Sequence, residues 1–177
     1  MNLFHHPNIT VAGLTDVAEI TKLLNVAYRG ETSKQGWTTE AHLIAGDTRS
    51  DEKNVHETMQ QTGSVFLIYK NEEQKITGCV NLQKHSDKIY LGMFSVLPQV
   101  QGGGIGKKLL KAAEDYTKEL NCSAIYMTVI SLRTELVNWY KRHGYTDTGE
   151  RSAFLEDDLT GKHLKPLEFL ILQKLLA

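Results

Sequence analysis

Two cysteines, Cys79 and Cys122, are too few and too far apart for a disulfide framework or a metal-ligand cluster. A reducing, cytoplasmic setting is the economical reading of that scarcity. Long apolar runs are missing as well. No stretch approaches the ~20 residues that a membrane helix requires, and the opening MNLFHHPNIT lacks the basic and apolar regions of a signal peptide. Charge of one sign is not in excess: 20 Lys and Arg face 21 Asp and Glu, a formal net charge of −1. That balance supplies no general attraction to nucleic acid or to an anionic membrane. The adjacent His5 and His6 point in different directions on any regular element, so no metal site is expected there. Repeats, low-complexity tracts and linkers are also absent, and residues 1–177 read as a single domain.

What is present is strong local pattern. "NITV" reads as a strand, followed by a turn at Gly13 and a helix capped by Thr15 or Asp16, with Glu19 completing a capping box. Ile20, Leu24, Ala27 and Tyr28 form its apolar face. The polar segment 29–51 follows, with Trp37 as its one large apolar residue, and reads as part loop and part short helix. A second helix is predicted through "DEKNVHETMQQT", closing at Gly63. Three strand patterns then succeed one another, "SVFLIYK", "KITGCVNLQ" and "KIYLGMFSV", joined by the short polar links "KNEEQK" and "KHSDK". Consecutive antiparallel hairpins are expected. Ile105, Leu109, Ala112, Ala113, Tyr116 and Leu120 mark one face of a long helix. "AIYMTVI" reads as a strand, "LRTELVNWYKRH" as a helix, and "GYTDTGE" and "PLEFLILQKLL" as closing strands.

The order β-α-α-β-β-β-α-β-α-β-β predicts an α+β (mixed α/β) fold with a mostly antiparallel sheet. A single right-handed βαβ crossover sets strand 124–130 parallel to strand 88–96. Three strands without intervening helices exclude a doubly wound sheet.

The crossover opens on "QGGGIGKK", where several phosphate motifs compete. A P-loop requires glycine at 101 and Ser or Thr at 108, and Gln101 and Lys108 stand there. A GxGxxG fingerprint fails at Lys107 in one register and at Leu109 in the other. The pattern Q-x-x-G-x-G is met by Gln101, Gly104 and Gly106. Successive bare N–H groups at a helix start suit a pyrophosphate, and side chains would block its approach. With "FSVLP" before the loop and an amphipathic helix after it, the chain resembles the GNAT acyltransferase superfamily.

That resemblance implies a GNAT-like sheet whose parallel strands splay apart, with the pantetheine of acetyl-CoA lying between them like an added strand. The cofactor-binding residues it implies are Phe94, Ser95, Val96, Gln101, Gly102, Gly103, Gly104, Ile105, Gly106 and Lys107. A backbone N–H near Phe94–Val96 would polarise the thioester carbonyl. No metal is implied.

The later stretch "SLRTELVNWYKRHGYTDTG" also resembles the family, through Trp139–Tyr140, Gly144 and Tyr145. Leu132, Leu136 and Tyr140 lie four apart, so Tyr140 faces the core side of its helix. Two readings stand for it: a packed aromatic with a backbone partner, or a proton donor to the departing thiolate. A phenol near ~10 and a thiol near ~8.5 are close enough for transfer, and the resemblance makes Tyr140 the catalytic general acid. Where relatives often carry asparagine at the helix start, Ser131 and Arg133 stand. Cys122 is read as structural.

"KIYLGMFSVLP" holds no carboxylate to deprotonate an amine. Glu40 and His42 are candidates for that task, a water chain to bulk solvent would also serve, and the base is left unassigned; Trp37 and Glu40 are candidates for acceptor binding. The implied activity is an acetyl-CoA-dependent N-acetyltransferase moving an acetyl group to a primary amine by direct attack in a ternary complex. The acceptor is a small-molecule or peptide amine, with no nucleic acid or membrane partner, and a homodimer is common among relatives. The alternatives are a catalytically silent CoA-binding domain, or an acetyltransferase acting on a protein or tRNA.

Overall fold

Alternation along the central strands builds two packed faces from one sheet. The computed structural model describes residues 6–29, 33–36, 39–44, 46, 48–154 and 162–176. Its strands are β1 (Ile9–Val11), β2 (Ser64–Lys70), β3 (Ile76–His85), β4 (Lys88–Val96), β5 (Ala124–Ile130), β6 (Thr146–Ala153) and β7 (Glu168–Leu175). Its helices are α1 (Val17–Tyr28), α2 (Glu52–Gln60), α3 (Ile105–Glu119) and α4 (Thr134–Arg142). Phe66 and Ile68 of β2 pack with Ile20, Leu23 and Leu24 of α1 and with Val55 of α2. The intervening Leu67 points the other way, into a cluster with Leu109, Ala112 and Ala113 of α3 and Val137 of α4. Period-2 strands between two helical layers therefore account for both cores.

The seven strands run in the order β1-β2-β3-β4-β5-β7-β6. Every neighbouring pair is antiparallel except β4 and β5. The expected mixed sheet with one parallel crossover is thus present. The C-terminal strand does not close the sheet at its rim, however. β7 inserts between β5 and β6, and the fully exposed β6 takes the edge. An apolar strand such as "EFLILQKL" gains more from a central place than the polar "TDTGERSA" would, because neighbours on both edges shield its backbone and the core covers Leu170 and Leu172.

Local details differ from the sequence expectation in two further places. Asp16 and Glu19 do not form a capping box on α1. Asp16 Oδ2 accepts from Gly13 N–H at 2.9 Å, closing a 3₁₀ turn over Leu14–Asp16. Glu19 instead reaches across to accept from Ile76 N–H at 2.9 Å, tying α1 to the start of β3. The second difference is the start of α4, which begins at Thr134, so Leu132 lies before the helix and is 49% exposed. Val137 and Tyr140, one turn apart, carry its buried face.

Gly78 of β3 seats α3 on the sheet. A Cβ built there would stand 2.8 Å from Leu109 Cδ1 and 2.9 Å from Ile105 Cγ2, inside a closely packed core. Gly78→Ala should therefore destabilise the fold by about 1–3 kcal/mol through overpacking. Urea denaturation read by circular dichroism checks this, and an unchanged midpoint contradicts the close packing.

Candidate active site

The parallel seam between β4 and β5 is short. Only Lys88–Ala124, Ile89–Ile125 and Tyr90–Tyr126 are paired, although β4 continues to Val96 and β5 to Ile130. A β-bulge helps to part the strands. Asn81 faces Gly92 and Cys79 faces Ser95, so Met93 and Phe94 together stand against Val80. Met93 takes up the extra residue with φ of +48°. Beyond the bulge, Leu97 N–H donates to Thr77 O on β3 at 2.9 Å. By antiparallel alternation the peptide groups of Val96 then turn away from β3, toward the widening gap.

Side chains already reach into that gap. Gln101 Nε2 donates to Val96 O at 2.9 Å, and the Tyr28 hydroxyl donates to Phe94 O. The hydroxyl of Ser95 is buried beside Tyr28 and has no hydrogen-bond partner in good geometry among the described residues. Phe94, Ser95, Val96, Gln101, Gly102, Ile105, Gly106 and Tyr140 all line one cleft of about 460 Å³.

The glycine stretch forms the mouth of this cleft. Gly102 and Gly104 adopt φ of +92° and +85°, a region that side-chain-bearing residues avoid. Gly104 caps α3, and the first helical bond runs from Lys108 N–H to Gly104 O. The N–H groups of Ile105, Gly106 and Lys107 are left pointing out of the helix end, where the positive end of the helix dipole also lies. Gly103 and Lys107 belong to the same turn. Lys107 lines an outer groove with Arg142 and His143, while Lys108 turns away to sit 5.8 Å from the Tyr69 ring centroid.

On the far wall, α4 presents Trp139 and Tyr140. Their rings lie 6.0 and 6.4 Å from that of Phe94. The Tyr140 hydroxyl makes no hydrogen bond among the described residues, while its ring is buried against Phe94, Trp139 and Tyr145. Burial pushes its pKa upward, and the neighbouring Tyr28 adds to the shift. Tyr145 belongs to the scaffold. It donates to Glu114 Oε1 at 3.2 Å, and Lys174 Nζ, 2.9 Å from the same oxygen, fastens β7 to this corner.

A second cavity, of about 910 Å³, meets the first at Tyr28, Phe94, Leu136 and Tyr140. Arg29, Glu40, Arg49 and Arg133 also line it. Arg29 Nη2 lies 3.0 Å from Glu40 Oε1, and Arg133 Nη1 lies 3.5 Å from Glu40 Oε2. Both oxygens of Glu40 thus face guanidinium groups. His42 lines a different recess with Gly36 and Thr39. Trp37 lies outside the described residues.

Sequence reasoning passed over Tyr28, Arg29 and Arg49. Tyr28 reads as part of an amphipathic face, which it is, yet its hydroxyl reaches the Phe94 carbonyl. The overlooked signal is "AYRG", an aromatic and a cation together at a helix end before a glycine. Arg133 stands where relatives often have asparagine. It makes no side-chain cap of α4, and its guanidinium turns toward Glu40 instead.

The sequence model of the Acetyltransferase (GNAT) family matches residues 20–145. Among curated proteins, the chain is 30% identical over 79 residues to the mouse thialysine N-epsilon-acetyltransferase, covering 45% of this chain and 46% of that protein. It is 33% identical over 64 residues to the spermine/spermidine N(1)-acetyltransferase of Bacillus subtilis, covering 36% and 42%. The matched region spans less than half the length of either relative. Among solved structures, the yncA protein of Salmonella typhimurium, solved with its cofactor acetyl-CoA, superposes with a TM-score of 0.67 at 20% identity. The superposition covers 96% of this chain and 93% of that one, and at this identity it bears on the fold alone.

Burial around the site makes stability sensitive to alkali. It pushes the Cys79 thiol and the Tyr28 hydroxyl each up to about 12, and raises Tyr140 and Tyr145 as well. The folded chain keeps these groups neutral, whereas the unfolded chain ionises them near ~8.5 for a thiol and ~10 for a phenol. Their contribution is therefore complete below those values and is lost as pH rises, Cys79 first and the tyrosines after it. Thermal melts should show Tm falling from about pH 8.5 upward, more steeply above pH 10. Cys79→Ala should remove the first part of the decline. A Tm that stays level to pH 11 would contradict the buried neutral state.

Proposed function

The chain belongs to the Acetyltransferase (GNAT) family, and from that premise we propose that it transfers the acetyl group of acetyl-CoA to a primary amine, by direct attack within a ternary complex. The observation that carries this reading is the meeting of two cavities at Tyr28, Phe94, Leu136 and Tyr140, on the side of the sheet where β4 and β5 have parted. One cavity suits the donor and the other the acceptor.

The residues at hand fit acetyl-CoA. The Val96 peptide groups face the gap, and three N–H groups stand unpaired by the helix at the start of α3, at the loop mouth. Phe94 and Val96 would pair with the pantetheine amides as an added strand does. For the Phe94 and Val96 carbonyls to accept from pantetheine, the donors from Tyr28 and Gln101 must turn aside. The loop from Gln101 to Lys107 would hold the pyrophosphate. When bound, acetyl-CoA supplies an activated acyl thioester. Everything else is the work of this chain.

Tyr140 is the group placed to give a proton to the departing sulfur. Its hydroxyl makes no hydrogen bond among the described residues, and its raised pKa keeps it protonated throughout the working range. The price is a smaller driving force for transfer, so the proton moves only once negative charge has gathered on sulfur. Glu40 is engaged by arginines and His42 lies in another recess, so the amine loses its proton to water in the acceptor cavity.

Two variants separate donor binding from chemistry. Tyr140→Phe should lower kcat by about 10²-fold, the lower end for a general acid, with acetyl-CoA binding unchanged by calorimetry. Full turnover in Tyr140→Phe would remove the acid role. The raised pKa also means that wild-type kcat should show no alkaline fall below about pH 10 attributable to this group.

Gly106→Ala tests the donor groove. The added Cβ meets only ordinary contacts, 3.7 Å from Phe94 Cζ and 3.8 Å from Val96 Cγ2, so the fold accepts it. It projects into the cleft, and CoA affinity should fall about tenfold, near 1.4 kcal/mol, while Tm holds or rises. Undiminished affinity would move the donor site elsewhere. Tight CoA binding without thiol release on any amine would identify a silent domain instead.

A further inference from the structure

The charge on the acceptor cavity is lopsided. Three arginines, Arg29, Arg49 and Arg133, share its wall with one carboxylate, Glu40, a surplus of two positive charges among the described lining residues. Arg29 is almost wholly buried, at 2% exposure. Its Nη1 donates to Thr48 O at 3.2 Å, but Nε and Nη2 make no hydrogen bond among the described residues, Nη2 being in ion-pair contact with Glu40 without alignment. A guanidinium does not shed its proton, so a buried one with idle donors is costly until an anion or acceptor completes it. Arg49 lies half-buried with its Cζ 5.5 Å from the Tyr28 ring centroid, and it makes no ion pair among the described residues.

We propose, on the footing of the acetyltransferase reading above, that the acceptor is a small amine bearing an acidic group on an apolar body, the acidic group being held by Arg49 with Arg29 and Arg133. Arg49 and Arg133 lie 5.5 and 5.8 Å from the ring centroid of Tyr28, and the hydroxyl of that ring touches Phe94 O in the parted seam. The cations therefore stand one side chain's length from the reacting end. That spacing suits an acid a few bonds from the amine, as in an amino acid. Leu91, Met127, Phe154 and Phe169 form an apolar wall of the same cavity and would cover the rest of the molecule. A polyamine brings only positive charge to this wall and is repelled. The chain thus departs from its relative that acts on spermine and spermidine.

The test is a thiol-release assay on the full chain with acetyl-CoA. Its acceptors are leucine, methionine and phenylalanine, the matching amino-acid amides, the aminophosphonic analogues, and spermine. Free acids should exceed their amides at least tenfold in kcat/KM, and the carboxylate and phosphonate arms identify which acid is taken. Arg49→Gln, at a residue with no ion pair among the described residues, should raise KM for the acids about tenfold more than for the amides. Amides equal to acids, spermine preferred, or an Arg49→Gln effect shared by acids and amides would overturn the proposal.

A readout without turnover keeps it separate from the catalytic reading. Calorimetric titration of N-acetylleucine and N-acetylleucinamide, into the chain with and without CoA, should show the acid binding at least tenfold tighter. Equal binding overturns the anion site. Acid-selective binding with no thiol release from any acceptor would sink the transfer reading and leave the anion site standing.

Discussion

The early parting of β4 from β5 is the constraint on which the rest depends. A parallel pair usually continues until one strand ends, because unpaired backbone groups inside a protein are costly. Here the pairing stops after three residue pairs while both strands run on. β5 bears the break because β7 pairs along its whole other edge, from Ala124–Leu175 to Ile130–Phe169. β4 bears it because β3 holds it on the opposite side and the bulge at Met93–Phe94 turns it outward. The carbonyls of Phe94 and Val96 are then met by Tyr28 and Gln101, side chains that can move aside. A slot bounded by strands, and stoppered by movable donors, is what the fold offers a ligand.

The surroundings of the slot divide into a neutral half and a charged half. Around Tyr140 the neighbours are Phe94, Trp139 and Tyr145, and burial raises every phenol there that it touches. A few ångströms away, Arg29, Arg133 and Glu40 are also buried, and their mutual contacts offset only part of the desolvation. Arg29 carries the mark of this: burial lowers its pKa, and the like charges of Arg49 and Arg133 work in the same direction, against Glu40. Tyr28 stands between the halves. Its ring takes two guanidinium groups nearby, and its hydroxyl reaches the strand.

Much of this was legible in the chain itself. The order of elements, the parallel crossover and the glycine turn all follow from patterns within ten or fifteen residues of one another, where periodicity and positive-φ glycine act directly. The pairing of β7 was hidden because strand order depends on which faces are covered, not on neighbouring sequence. The start of α4 was misjudged because Leu132 fits the apolar spacing yet lies before the helix, in contact with solvent.

The glycine turn at the mouth of the first cleft is written in one contiguous motif, since the N–H groups at a helix start belong to adjacent residues and glycine spacing reports them. The charged second cavity is assembled from Tyr28, Arg29, Glu40, Arg49 and Arg133, contributed by a helix end, a polar loop and the entry to α4. No local rule links positions so far apart. They meet because α1 and α4 pack on opposite faces of the sheet and the parted strands open a passage between those faces, so their charge becomes one wall only after the chain has folded.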